Sequence, residues 1–246
     1  MPNGTVTVLG CDGSFTGPGG AASGYLVKTA AATIWLDAGP GTFARLQEIC
    51  FPGTVDAVIL THEHPDHWTD LESFAVWSRH QNATEPCLVL APPGLRERSY
   101  FGDDRSLDWR VIEPSSRIDL HDLRCSFRAT DHGPPTLAVR IEKSHGSPDD
   151  KVFAYSADTG PDWSAEELGD DIGLFLCEAS YTKDREGDFR HLSGRQAGIM
   201  AAGAGVGELV VTHRWPTVSA EALGLEAAEA FGRPVYQAAP GLTLEW

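Results

Sequence analysis

Apolar positions in this chain fall into short runs broken by Gly, Pro, Asn and Asp, and only a few stretches carry helical spacing. The segments Thr5–Gly10, Ser23–Lys28 and Thr33–Asp37 are rich in β-branched and aromatic residues and predict three strands joined by glycine-rich turns. After Gly39-Pro40-Gly41, Thr42–Ile49 predicts a short helix, and Ala57–Leu60 predicts a buried strand. Thr69–Arg79 predicts a helix, because Leu71, Phe74, Ala75 and Trp77 return at helical intervals. Cys87–Ala91 reads as a strand stopped by Pro92-Pro93-Gly94, and Arg117–Val139 as two or three antiparallel strands. The second half alternates again: strand Lys151–Ser156, helix Ser164–Leu168, strand Leu174–Glu178, helix Ser193–Ala204, strand Glu208–Thr212, helix Ser219–Ala230 and strand Val235–Gln237. Repeated alternation of this kind predicts an α/β architecture. No linker, repeat or low-complexity tract divides it, so residues 1–246 are expected to form a single domain.

Composition narrows the class without naming a chemistry. A chain of 246 residues with 41% hydrophobic content can bury a full core. It has no apolar run long enough to cross a bilayer. The start, Met1-Pro2-Asn3-Gly4, lacks the charged and apolar regions of a signal peptide. The cysteines (Cys11, Cys50, Cys87, Cys125 and Cys177) are odd in number and scattered, which predicts reduced thiols among core residues and a cytoplasmic location. A net charge of −16 disfavours nucleic acid as a partner, since it removes the attraction that supplies most non-specific affinity for a polyanion.

The chemistry concentrates in Thr61-His62-Glu63-His64-Pro65-Asp66-His67, which follows the strand-like run Val55–Leu60. Imidazole and carboxylate at this density suit zinc, iron, nickel or manganese, and such a cluster can hold two ions. A structural zinc finger is disfavoured, because no cysteine pair lies nearby at ligand spacing. The bland alternative is a histidine-rich turn that binds nothing.

The pattern His-x-His-x-Asp-His after a strand resembles the metallo-β-lactamase fold superfamily, and later segments extend the resemblance. His132 follows the alternating run Cys125–Ala129, Asp158 ends Val152–Asp158 before Thr159-Gly160, and His213 ends Leu209–His213. The opening Val6–Ser14, the segment Ala22–Val27 and the turn Leu36-Asp37-Ala38-Gly39-Pro40-Gly41-Thr42 are similar to the ribonuclease Z-like phosphodiesterase branch. The same holds for Glu178-Ala179-Ser180 and His191-Leu192-Ser193. Asp66-His67-Trp68-Thr69-Asp70-Leu71 resembles the form found in small-molecule members, of an actinobacterial cyclic-nucleotide phosphodiesterase type.

The resemblance implies a four-layer αββα sandwich holding two divalent metal ions, zinc first, with manganese or iron as alternatives. It assigns His62, His64 and His132 to one metal, Asp66, His67 and His213 to the other, and Asp158 to both. Two such cations supply a nucleophile at neutral pH and neutralise charge on phosphoryl oxygens. Asp66, His191 and Glu178 are the implied catalytic residues, with His191 protonating the leaving group and Glu178 holding its other ring nitrogen. A His–Glu bond that merely ties a helix start to a strand is the alternative. Asp37 reads equally as an acceptor orienting a ligand histidine or as a simple turn residue. Trp68 and Trp215 offer rings for a substrate base or for packing. His80, His121 and His145 show no partner pattern and read as surface residues. The glycines of Gly10–Gly20 lack Gly-x-Gly-x-x-Gly and read as a turn at the edge of the site.

The expected substrate is a small phosphodiester such as a cyclic nucleotide, because ribonuclease Z proper inserts a long basic arm between the positions of His132 and Asp158. Here only residues 133–157 lie between them, and a strand, a turn over Glu142–Lys151 and another strand use most of that length. A tRNA 3′ endonuclease of the ribonuclease Z type, a lactone or thioester hydrolase and a non-catalytic metal-binding member are the competing readings. A homodimer is compatible with the sequence, and a membrane partner is not expected.

Overall fold

The computed structural model describes residues 3–81, 85–147 and 150–246. Met1 and Pro2 of the amino-terminal segment lie outside the described residues, as do residues 148 and 149 of the expected turn. Strand pairing builds two mixed seven-stranded sheets.

The first sheet contains β1 (Thr5–Gly10), β2 (Gly24–Lys28), β3 (Thr33–Leu36), β4 (Ala57–Ile59), β5 (Cys87–Ala91) and β6 (Leu107–Val111), with β14 (Thr243–Glu245) against β1. The second runs β7 (Arg117–Leu120), β8 (Leu123–Ala129), β9 (Leu137–Lys143), β10 (Val152–Tyr155), β11 (Ile172–Glu178), β12 (Glu208–Thr212) and β13 (Tyr236–Gln237).

Alternating apolar positions on the facing sides, among them Val8, Tyr25, Ile34, Phe127, Val139, Phe153 and Leu176, form one core between the sheets. The outer face of the first sheet buries Trp35 and Val58 against Phe43 and Leu46 of α1 (Thr42–Ile49) and Leu71 and Phe74 of α2 (Asp70–His80). The outer face of the second buries Phe175 and Leu209 against α4 (Gly194–Gly203) and α5 (Ala220–Phe231). The layers therefore follow the expected αββα order.

Small residues set how closely the last two helices approach. A Cβ on Gly198 of α4 would lie 2.4 Å from the Ala227 carbonyl of α5, so only glycine fits there. Helix α4 starts at a reciprocal cap, in which the Ser193 side chain accepts from Gln196 N–H while the Gln196 side chain accepts from Ser193 N–H.

Several boundaries differ from the sequence expectations. Strand β3 ends at Leu36, because Asp37 turns into the left-handed region at φ 54°. Ser164–Leu168 is one turn of 3₁₀ helix over Ala165–Leu168, too short to propagate an α-helix. Strand β9 extends to Lys143, so the connection expected over Glu142–Lys151 begins after it. Strands β6 and β14 and the single turn α3 (Leu95–Arg98) were not anticipated. Strand β14 is three residues long and exists through its pairing with β1 across the length of the chain, which no local pattern announces.

Strands β3, β4 and β5 run parallel, as do β10, β11 and β12. Their carboxyl ends therefore gather at one edge within each sheet, where ligand sites of α/β proteins commonly form. Two buried phenols join the sheets at this edge. Tyr25 shares a hydrogen bond with Thr212 at 2.7 Å, and Tyr155 donates to Asp37 at 3.0 Å.

Candidate metal centre

Most residues of the candidate site leave the end of a strand, whereas Asp66 and His67 lie in a short 3₁₀ turn and His191 lies just before α4. Asp37 follows β3, His62 follows β4, His132 follows β8, Asp158 follows β10, Glu178 closes β11 and His213 follows β12. Three of these turns pass through left-handed backbone at non-glycine residues, Asp37 (φ 54°), Ala157 (φ 52°) and His213 (φ 55°). Each such residue costs on the order of 1–3 kcal/mol, and strain of this kind clusters where a site must be held in one geometry.

The donor atoms collect into overlapping sets. His62, His64, His132 and Asp158 present atoms within 4.8 Å of one another, as do Asp66, His67 and His213, and a third set joins Asp158, His191 and His213. Asp158 lies between the sets, with Oδ1 3.2 Å from His67 Nε2 and Oδ2 3.3 Å from His213 Nε2 and 3.6 Å from His62 Nε2. Asp66 Oδ2 lies 3.2 Å from His213 Nε2. His62, Asp66, His67, Asp158 and His213 are buried, whereas His64, His132 and His191 are partly exposed and mark the open side.

Proton positions follow from the partners, because carboxylates only accept. His67 donates from Nδ1 to Asp37 Oδ2 at 2.7 Å, which leaves the lone pair of Nε2 facing the cluster. Thr61 donates its hydroxyl to the same Oδ2 at 3.0 Å, and its oxygen then accepts from His62 Nδ1 at 3.0 Å. Glu178 repeats this scheme in the second sheet. His191 Nδ1 donates to Glu178 Oε1 at 2.8 Å, while Ser180 donates to Oε2 at 2.9 Å and accepts from His213 Nδ1 at 3.0 Å. His132 Nδ1 donates to the Arg190 carbonyl at 3.1 Å. Two buried carboxylates, each acting on one imidazole directly and on a second through a hydroxyl, thus turn the Nε2 atoms of His62, His67 and His213 inward.

The electrostatics fit a cation. Burial lowers the pKa values of His62, His64 and His132, keeping these rings neutral and able to ligate. Burial also disfavours charge on Asp158 and Asp66, yet the surrounding histidines outweigh it and hold both carboxyls well below their ordinary range. Burial opposes a charged His67, but Asp158, Asp66 and Asp37 raise its pKa well above the imidazole value, so these carboxylates favour positive charge at Nε2, supplied by a proton or by a metal ion. His62 Nε2, His67 Nε2 and Asp158 Oδ1 are buried without a hydrogen-bond partner. Orphaned buried lone pairs are costly unless something positive satisfies them, and mixed imidazole and carboxylate donors suit a divalent transition metal.

A model of the beta-lactamase superfamily domain matches residues 32–214. The chain belongs to the metallo-β-lactamase superfamily. A protein of Mycobacterium tuberculosis, described as uncharacterized, is 36% identical over 94% of this chain and 88% of its own length. The probable metallo-hydrolase YhfI of Bacillus subtilis is 27% identical over 85% of this chain and 86% of its own. The crystal structure of YhfI superposes with a TM-score of 0.88 at 25% identity, covering all of both chains. Ribonuclease Z of Mycobacterium marinum is 27% identical over 87% of this chain and 88% of its own. The metallo-β-lactamase fold expected from the motifs is therefore borne out, and the chain is a superfamily member whose His/Asp clusters suit divalent metal.

The structure brings His62, His64, Asp66, His67, His132, Asp158, Glu178, His191 and His213 together. It gives Asp37 the orienting place rather than that of a simple turn residue. The Gly10–Gly20 turn does edge the site, since a Cβ on Gly13 would lie 2.1 Å from the His213 carbonyl oxygen. Trp68 is a packing residue: its ring is buried and its Nε1 donates to the Glu63 carbonyl. Trp215 is partly buried and donates from Nε1 to Ser14 at 3.2 Å. His80 and His145 are exposed, and His121 is exposed but pairs with Asp56 at 3.0 Å, a partner the sequence did not reveal. The cysteines are free, Cys125 and Cys177 buried and the other three only partly so. Among the described residues no helix is long and apolar enough to cross a membrane. Sequence reading missed Thr61, Ser180 and Tyr155, hydroxyls whose only signal was proximity to the motif residues.

Proposed function

We propose that this superfamily member hydrolyses a small phosphodiester, with a cyclic nucleotide as the leading candidate, at a site holding two divalent cations. His62, His64 and His132 would hold one ion and Asp66, His67 and His213 the other, with Asp158 reaching both. When bound, the ions supply a nucleophile from water at neutral pH and neutralise charge that builds on the phosphoryl oxygens.

The observation that carries the phosphodiesterase reading is His191, an extra imidazole beside the clusters. Burial would lower its pKa, but the charge and hydrogen bond of Glu178 outweigh this and raise it to about 9. Glu178 thus favours the charged form of His191, with Nδ1–H committed to Glu178 and Nε2 left to carry a proton for the leaving group. Glu178 is itself fixed, accepting from Thr159 N–H at 2.8 Å and from Leu192 N–H at 3.3 Å. In hydrolysis the oxygen of water adds to phosphorus, the phosphorus–oxygen ester bond breaks, and the leaving oxygen takes the proton of His191 Nε2. An alkoxide leaving group needs that proton far more than the thiolate of a thioester does.

Similarity to a ribonuclease Z supports phosphodiester chemistry and raises tRNA as a second reading. Against that second reading stand the net charge of −16 and the short path from His132 to Asp158, a path that also carries β9 and β10. Elemental analysis of protein purified without chelator should find close to two transition-metal ions per chain. The same preparation should cleave a chromogenic phosphodiester and leave a lactone panel intact. Lactonase activity without phosphodiester cleavage would overturn the assignment.

A further inference from the structure

We propose that Phe189 and Arg185, braced by Trp215 and Tyr181, form a stacking subsite for the base of a nucleotidyl substrate, an inference that rests on the phosphodiesterase reading. Phe189 is 46% exposed, although three groups surround its ring. Trp215 meets it nearly edge-on at 5.0 Å and 76°, and Tyr181 lies 6.4 Å away. The Arg185 guanidinium lies 5.3 Å from the centroids of both Phe189 and Trp215. Single exposed apolar residues are ordinary. A ring held by two others and capped by a guanidinium is a prepared surface, because the ordering cost of binding has already been met in folding.

Its position ties it to the chemistry. Phe189 lies two residues before His191 and Trp215 two residues after His213, so each is within roughly 7 Å of a site residue along the backbone. Buried Tyr181 donates its hydroxyl to the carbonyls of both Phe189 (3.0 Å) and His191 (2.7 Å), coupling the ring to the imidazole. Trp215 N–H donates to the Ser180 carbonyl at 3.0 Å, which anchors the other half of the wall to the strand-end segment that orients His213. Arg185 is steadied by Asp188 at 3.0 Å. A phosphodiester seated beside His191 would place its sugar across this gap and its base against Phe189. Aromatic faces and guanidinium planes both stack on nucleobases without selecting among them strongly.

The test compares adenosine 5′-monophosphate with ribose 5-phosphate, which shares the phosphate and sugar and lacks the base. Calorimetric titration of the metal-loaded protein should show the nucleotide binding more tightly by about 10- to 100-fold, the range expected for one stacked base. Phe189→Ala should erase that preference with metal content unchanged, Phe189→Tyr should restore it, and Arg185→Ala should reduce it. Equal binding of the two ligands by the native protein, or a preference surviving in Phe189→Ala, would overturn the subsite. Cleavage of a chromogenic phosphodiester, measured in parallel, reports on the reaction itself: its absence would sink the phosphodiesterase reading while the binding comparison still decides whether a base is recognised.

Discussion

Replacing Asp37 with asparagine keeps the side chain's shape while removing its charge and turning one acceptor into a donor. The Thr61 backbone N–H donates to Oδ1 at 2.9 Å and cannot reverse, so the amide oxygen of the variant stays at that position. The amide NH₂ then replaces Oδ2, where it meets His67 Nδ1 at 2.7 Å, the Thr61 hydroxyl at 3.0 Å and the Tyr155 hydroxyl at 3.0 Å, all donors in the native protein. His67 relieves the conflict by moving its proton to Nε2. The Thr61 hydroxyl reverses and donates to His62 Nδ1, which moves that proton to Nε2 as well. Both donor sets thereby lose a lone pair, although no ligand has been mutated. Loss of an orienting partner costs about 10- to 100-fold in metal affinity, equivalent to about 1.4–2.8 kcal/mol for each set. Chelator-competition titration should show Asp37→Asn binding metal correspondingly more weakly, with native circular dichroism. Tyr155→Phe is the control: it removes one hydrogen bond to a charged group, worth about 1.5–3 kcal/mol of stability, but leaves both tautomers and the metal affinity in place. Native affinity in a folded Asp37→Asn protein would refute the relay.

His191→Ala should retain both metals yet lose about 10²–10⁴-fold in rate on a phosphodiester with an alkoxide leaving group. The loss should be smaller when nitrophenolate leaves, and equal losses on both substrates would show that His191 acts in binding instead. Gly39→Ala should lower stability by about 1–3 kcal/mol, a drop in Tm of roughly 2–12 °C, because the new Cβ would lie 2.1 Å from the Asp66 carbonyl oxygen. Differential scanning calorimetry reads this directly, and an unchanged Tm would show that the Asp66 turn yields freely. A precursor tRNA with a 3′ trailer should remain intact at moderate salt while cyclic AMP is hydrolysed, and efficient trailer removal would restore the ribonuclease Z reading.

What the sequence determined by itself is local. His62, His64, Asp66 and His67 lie together because one turn carries them, and the apolar run before it marks a strand whose end must project that turn. His132, Asp158 and His213 each follow a run of the same kind, so their places at strand ends were legible, and the shared family motif joined them before any contact was known. What the tertiary structure decided is which atoms face one another. Asp37 was undecided between a turn residue and an orienting acceptor, because the answer lies partly with Tyr155, 118 positions away on the other sheet. Thr61 and Ser180 were invisible as relays, since a hydroxyl has no periodicity and its role depends on the groups packed within about 3 Å of it. Phe189 carries no local signal in the sequence, and its setting comes only from Trp215, Tyr181 and Arg185 packed around it. Strand β14 likewise exists only because β1 offers an open edge. Chain-local chemistry sets which donors are available, whereas tautomers, charges and the open face of the site depend on packing between segments far apart in sequence. Those pairings arise only when the two sheets close on their common core.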